Sequence, residues 1–144
     1  MSRILAIDYG QKRVGLAVTD ELQMIANSLD TVHSKDIIQY LKEYTKNENV
    51  ECFVVGEPKD MKYRDSESAK FIEPFVKKLK KEFPKIKIDR YDERFTSKIA
   101  SQTLIDSGIG KKKRRNKALL DKISATLILQ SYLEWRTIKG NLKF

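Results

Sequence analysis

Two apolar runs open the chain, "ILAI" at 4–7 and "VGLAV" at 14–18, with only "DYGQKR" between them. So short a connection can only turn the chain back on itself, which predicts two antiparallel strands over Arg3–Tyr9 and Arg13–Thr19. The first strand ends on a carboxylate, Asp8. An ionised carboxylate beside a core is costly unless it is paired or binds a cation, so Asp8 requires partners.

The pattern that follows alternates strands with helices. A third strand is expected near Ser28 to His33. A helix follows, with Ser34 as its cap and Ile37, Ile38, Leu41 and Tyr44 at helical spacing. "VECFVVGEP" is a continuous apolar strand closed by Gly56 and Pro58. Helical intervals of apolar residues predict a helix from Ser66 to Phe83, with Pro74 as a possible kink and the lysines between them as a solvated face. "KIKIDRYDER" alternates as a half-buried strand near a sheet edge does. "TSKIASQTLIDSG" predicts a helix stopped by Gly108, "GKKKRRNK" a basic loop, and Ala118 to Trp135 a final helix.

Three strands in succession and then alternating helices and strands imply an α/β fold, a mixed five-stranded sheet with helices on both faces. The 144 residues, 40% of them hydrophobic, suit a single domain over 1–144. There is one cysteine, Cys52, inside an apolar run, so disulfides within the chain are excluded and a buried reduced thiol is expected. The N-terminus passes straight into a strand, and no stretch approaches the length of a membrane span, so a cytoplasmic protein is expected.

Other carboxylates also end strands or interrupt apolar patterns: Glu93 in "YDERFTS", Asp121 in "LLDKISATLILQ", and Glu57 at the end of "FVVGEP". Asp121 shares a helical face with Ser124, Ala125 and Ile128, which would turn it inward. Carboxylates drawn together resist ionising unless a divalent cation neutralises them. One histidine and one cysteine cannot build a nitrogen and sulfur cage, so oxygen ligation by Mg²⁺ or Mn²⁺ is favoured over zinc. Two such ions can activate water on one side of a phosphodiester and steady the leaving oxygen on the other.

The formal charge of +9, from 29 Lys and Arg against 20 Asp and Glu, raises the expectation of an anionic partner, with nucleic acid first. "KKKRR", Lys111, Lys112, Lys113, Arg114 and Arg115, precedes the helix that carries Asp121 and is a candidate phosphate clamp. Arg94 could contact a phosphate or orient Glu93. Tyr9, Tyr63, Phe95, Tyr132 and Trp135 form no evident base-stacking platform in the sequence, and Tyr132 and Trp135 read as helix-packing residues.

Four ordered blocks, "LAIDYGQKRVGLAVTD", "VVGEP", "DERFTSKIA" and "LDKISATLILQSYL", resemble the signature blocks of the YqgF family, also called RuvX, over nearly the whole chain. The resemblance implies a ribonuclease H-like fold similar to RuvC resolvases and a nuclease that matures the 5′ end of 16S rRNA. It implies Asp8, Glu93 and Asp121 as the catalytic, metal-holding acids. Where members usually read "VVGLP" and then "NMDG", this chain has "VVGEPKDMKYRD". Glu57 there falls at the strand end where RuvC-like enzymes carry an acid, which makes it an additional candidate ligand.

Three other readings stay open at this level. One is a Holliday junction resolvase acting on four-way DNA, with the same active-site chemistry. Another is a nucleic-acid-binding module that has lost the reaction. The third is a sugar kinase or actin-like ATPase, whose phosphate loop shares the strand, Asp and Gly pattern but which needs two such domains.

Overall fold

A computed structural model describes residues 2–57, 69–92 and 117–141 of the chain. Its strands are β1 (Arg3–Tyr9), β2 (Arg13–Thr19), β3 (Ala26–His33), β4 (Val50–Glu57) and β5 (Lys87–Asp92). Its described helices are α1 (Ile37–Asn47), α2 (Ala69–Glu82) and α3 (Lys117–Asn141). The strands form one sheet in the order β3-β2-β1-β4-β5. β1, β2 and β3 are antiparallel neighbours, whereas β4 and β5 run parallel to β1, so the carboxyl ends of β1, β4 and β5 share one edge.

The pleat sorts the core into two layers. Leu5, Ile7, Val14, Leu16, Phe53 and Val55 point to one face and pack on Ile37 and Leu41 of α1 and on Ile72, Phe75, Val76 and Leu79 of α2. Ile4, Ala6, Ala17, Cys52 and Val54 point to the other and meet Ala125, Ile128, Leu129, Tyr132 and Leu133 of α3. Helices therefore cover both faces, and β1 and β4 are apolar on both sides because both sides are buried. Burial pushes the Cys52 thiol up to about 11, which leaves it protonated and unreactive at neutral pH.

The predicted β1 and β2 agree with the structure residue for residue. β3 begins two residues earlier than predicted, at Ala26, because pairing with Thr19 and Val18 carries polar Asn27 into the ladder. The turn before it is organised by Asp20, whose carboxylate accepts the N–H groups of Met24 and Ile25 at 2.9 Å and that of Leu22 at 3.3 Å. Gln23 in that turn takes a left-handed φ of 59°. Ser34 does not cap α1. Asp36 holds that position without a side-chain cap bond. Ser34 instead donates its hydroxyl to the Gln11 carbonyl at 2.6 Å and its N–H to Lys12 at 3.0 Å, tying the end of β3 to the β1–β2 turn.

α2 continues through Pro74, and α3 runs from one residue before the predicted start to six beyond the predicted end. Tyr132 is buried as expected, but Trp135 is half exposed, its ring 6.0 Å from that of Tyr132. β5 is the edge strand that its alternation predicted. The helix predicted over "TSKIASQTLIDSG", the basic loop and Ser66–Ser68 lie outside the described residues. Among the described residues, no helix is long and apolar enough to cross a membrane.

Candidate active site

Asp8 occupies the last turn of the pleat in β1 and points to the α3 face, following Ile4 and Ala6. Its partner across the antiparallel pair is Gly15. On the other side, one step beyond the Ile7–Val55 pair, the register brings Gly56 of β4 alongside. The two strand neighbours of Asp8 thus lack side chains, and its half-buried carboxylate stands in a recess in the sheet surface.

Gly15 has a second role. A Cβ built there would lie 2.1 Å from the Asp121 carbonyl oxygen and 2.5 Å from its carbon, so the α3 backbone rests directly on β2 at this point. A glycine in a strand interior often marks such a close approach. The same Cβ would lie 3.0 Å from the Asp121 Cβ. Directly opposed residues of an antiparallel pair are only about 5 Å apart at Cα, so seating Asp121 on Gly15 sets it beside Asp8. Residues 113 positions apart in sequence converge because one glycine lets a helix touch a strand.

Asp121 is held from below. Arg13, two residues before Gly15 and therefore on the same face, donates Nε–H to Asp121 Oδ2 at 2.9 Å. The pair is partly exposed, so its function is better described as orientation than as stability. Arg13 and Gly15 lie within the block "LAIDYGQKRVGLAVTD" but were not singled out as site residues, although the two-residue alternation of β2 puts them on the face of Asp8.

Glu57 is carried elsewhere. It belongs to the face of Phe53 and Val55, opposite that of Asp8, and its Oε1 lies 3.0 Å from Arg90 Nη2. Arg90 also bonds Glu73 of α2 at 2.8 Å. The structure therefore does not bring Glu57 to the Asp8 recess. Glu57→Gln is expected to leave Mn²⁺ affinity and turnover unchanged and to cost about 1 kcal/mol of stability or less. Calorimetric titration with Mn²⁺, a turnover assay and a thermal melt check it.

Glu93, Arg94, Lys111, Lys112, Lys113, Arg114 and Arg115 lie outside the described residues. Glu93 directly follows Asp92, the last residue of β5. Among the described residues there is no group of three or more metal-ligating side chains. The Asp8–Gly15 pair and the contact of Gly15 with the Asp121 backbone place the two acids on the same face of the sheet, and carboxylate oxygens are the donor type that suits a hard divalent cation such as Mg²⁺ or Mn²⁺.

Known proteins resemble this chain over most of its length. The family model described as "RuvX: Holliday junction resolvase" matches residues 2–135. A protein of Flavobacterium psychrophilum named "Putative pre-16S rRNA nuclease" is 57% identical over 133 residues, 92% of this chain and 97% of the relative. One of the same name from Bacteroides fragilis is 51% identical over 138 residues, 96% of this chain and 100% of the relative. Among solved structures, Thermus thermophilus RuvC in complex with a Holliday junction substrate matches with a TM-score of 0.59 at 18% identity, covering 95% of this chain and 96% of that one. The fold is ribonuclease H-like.

Proposed function

This chain belongs to the RuvX family, and we propose that it is a metal-dependent nuclease that hydrolyses phosphodiester bonds in structured RNA, processing the 5′ end of precursor 16S rRNA. The observation that carries this reading is the convergence of Asp8 and Asp121 in a recess flanked by two glycines, at the sheet edge where parallel strands end. Two neighbouring acids repel a phosphate backbone unless a cation intervenes, so their presence on a chain of net charge +9 favours a reaction centre over a simple binding surface.

In this reading Asp8, Glu93 and Asp121 hold Mg²⁺ or Mn²⁺. When bound, such a cation supplies an activated water and neutralises charge on the phosphate under attack. Arg13 keeps the Asp121 carboxylate turned to the recess. Arg94 and the run Lys111 to Arg115 contribute phosphate contacts, which add affinity without base preference. Among the relatives above, the name pre-16S rRNA nuclease is the reason RNA is preferred as substrate.

A DNA junction resolvase is the second reading, favoured by the likeness to RuvC captured on a Holliday junction. Incubating the protein with a precursor 16S rRNA 5′ fragment and, separately, a four-way DNA junction, each with Mn²⁺, distinguishes the two. RNA cleavage with the junction intact is the expected result. Junction cleavage alone would establish the resolvase, and binding of either without any cleavage would point to a non-catalytic module.

A further inference from the structure

A cavity of about 240 Å³ opens on the opposite side of β1 from Asp8, between the start of α1 and α2. Its floor is Tyr9, the residue after Asp8, together with Ile37 and Ile38 of α1. Its wall comes from α2, where Phe71, Pro74, Phe75 and Lys78 recur at positions i, i+3, i+4 and i+7 and so form one ridge. The Tyr9 and Phe75 rings are stacked with centroids 4.2 Å apart and planes 13° from parallel. Phe71, one turn earlier, is 45% exposed, a large aromatic surface left open to solvent beside the cavity. Among the described residues, Ser34 and the exposed Lys35 and Lys78 also line it.

We infer that this cavity is a subsite for one unpaired nucleobase of the strand whose phosphate lies at Asp8. The inference rests on the nuclease reading and extends it to substrate shape. Aromatic surface flanked by cations matches the chemistry of a base with its two phosphates, and stacking accepts any base because each has a π-face. The volume is below that of pockets which enclose a whole drug-sized ligand, and suits a single ring system. Position supports the same occupant: successive residues of a strand point to opposite faces, so a substrate crossing the sheet edge at Asp8 and Tyr9 can present a phosphate to one side and a base to the other. A fully paired strand cannot turn a base outward without first losing a pair, so the enzyme prefers substrates with a single-stranded segment beside the cut.

The test uses the full chain, wild type without added divalent cation and Asp8→Asn to slow cleavage, and short single-stranded RNA and DNA oligonucleotides with one 2-aminopurine, compared with a blunt duplex. Binding to the single strands is expected to quench 2-aminopurine. Phe71→Ala should weaken it about tenfold and restore the fluorescence, with duplex affinity and melting temperature unchanged. Lys78→Gln should reduce the slope of log K against log salt by about 0.7. Quenching of the RNA probe but not the DNA probe would assign the subsite to RNA, and quenching of both to the shared base. Equal single-strand affinity and equal quenching in the Phe71→Ala protein would overturn the subsite while leaving the nuclease reading standing. Failure of the Asp8→Asn and wild-type proteins to bind any of these oligonucleotides while a precursor 16S rRNA 5′ fragment is still bound would overturn the subsite alone, and failure of the wild type to bind that fragment as well would overturn both.

Discussion

Asp8→Asn is expected to lower nuclease turnover by about a hundredfold to a thousandfold, the range lost when one preorganised electrostatic group at a reacting centre is removed. Asparagine keeps the shape of the side chain and one of its acceptors but discards the charge that a hard cation requires. Mn²⁺ affinity should fall with the activity. Stability should not fall with it, because the substitution also relieves repulsion between neighbouring carboxylates at Asp8 and Asp121. The discriminating measurement is therefore a pair: Mn²⁺ titration by calorimetry and a thermal melt on the same sample. Lost activity with an unchanged or higher melting temperature supports the cation-holding role. A melting temperature that drops in step with activity would show that Asp8 serves the fold instead.

Gly15→Ala is expected to be among the most destabilising single-methyl changes in the chain. The added carbon would sit 2.1 Å from the Asp121 carbonyl oxygen and 2.5 Å from the carbonyl carbon. Both are main-chain atoms of a helix, so neither can rotate away, and α3 must lift off β2 to admit the methyl group. Overpacking of this kind costs about 3 kcal/mol, which for a domain of this size lowers the melting temperature by about 10 °C. The same displacement moves Asp121 from Asp8 and weakens its bond from Arg13, so activity at a temperature where the protein is fully folded should also fall. A variant that melts like the wild type would mean that α3 does not rest on Gly15.

The two predictions probe different ends of what could be read in advance. Asp8 stands out in the sequence because it breaks a local rule, a carboxylate closing an apolar strand, and local rules need only neighbouring residues. Asp121 stands out for the same reason, as a charge on the apolar side of a helix. Arg13 and Gly15 looked like ordinary strand residues, since the helix that gives them meaning is more than 100 positions away. Glu57 misled for a related reason. Its position at a strand end is that of an active-site acid, but one step of the pleat separates the face of Asp8 from the face of Arg90 and Glu73. Ser34 was a plausible cap by composition, and the nearby β1–β2 turn took its hydroxyl instead.

What the sequence by itself determined was the five strands and the three described helices, the apolar faces of β1, β4 and α2, the basic balance and the acids that end or interrupt those elements, all of which follow from periodicity and composition over short windows. Only the tertiary structure decided which acids share a face, which glycine bears the helix, and that Tyr9, Phe71 and Phe75 line one cavity. Those outcomes depend on sheet order and on the parity of each pleat, and a shift of one residue in register would exchange every side chain between faces.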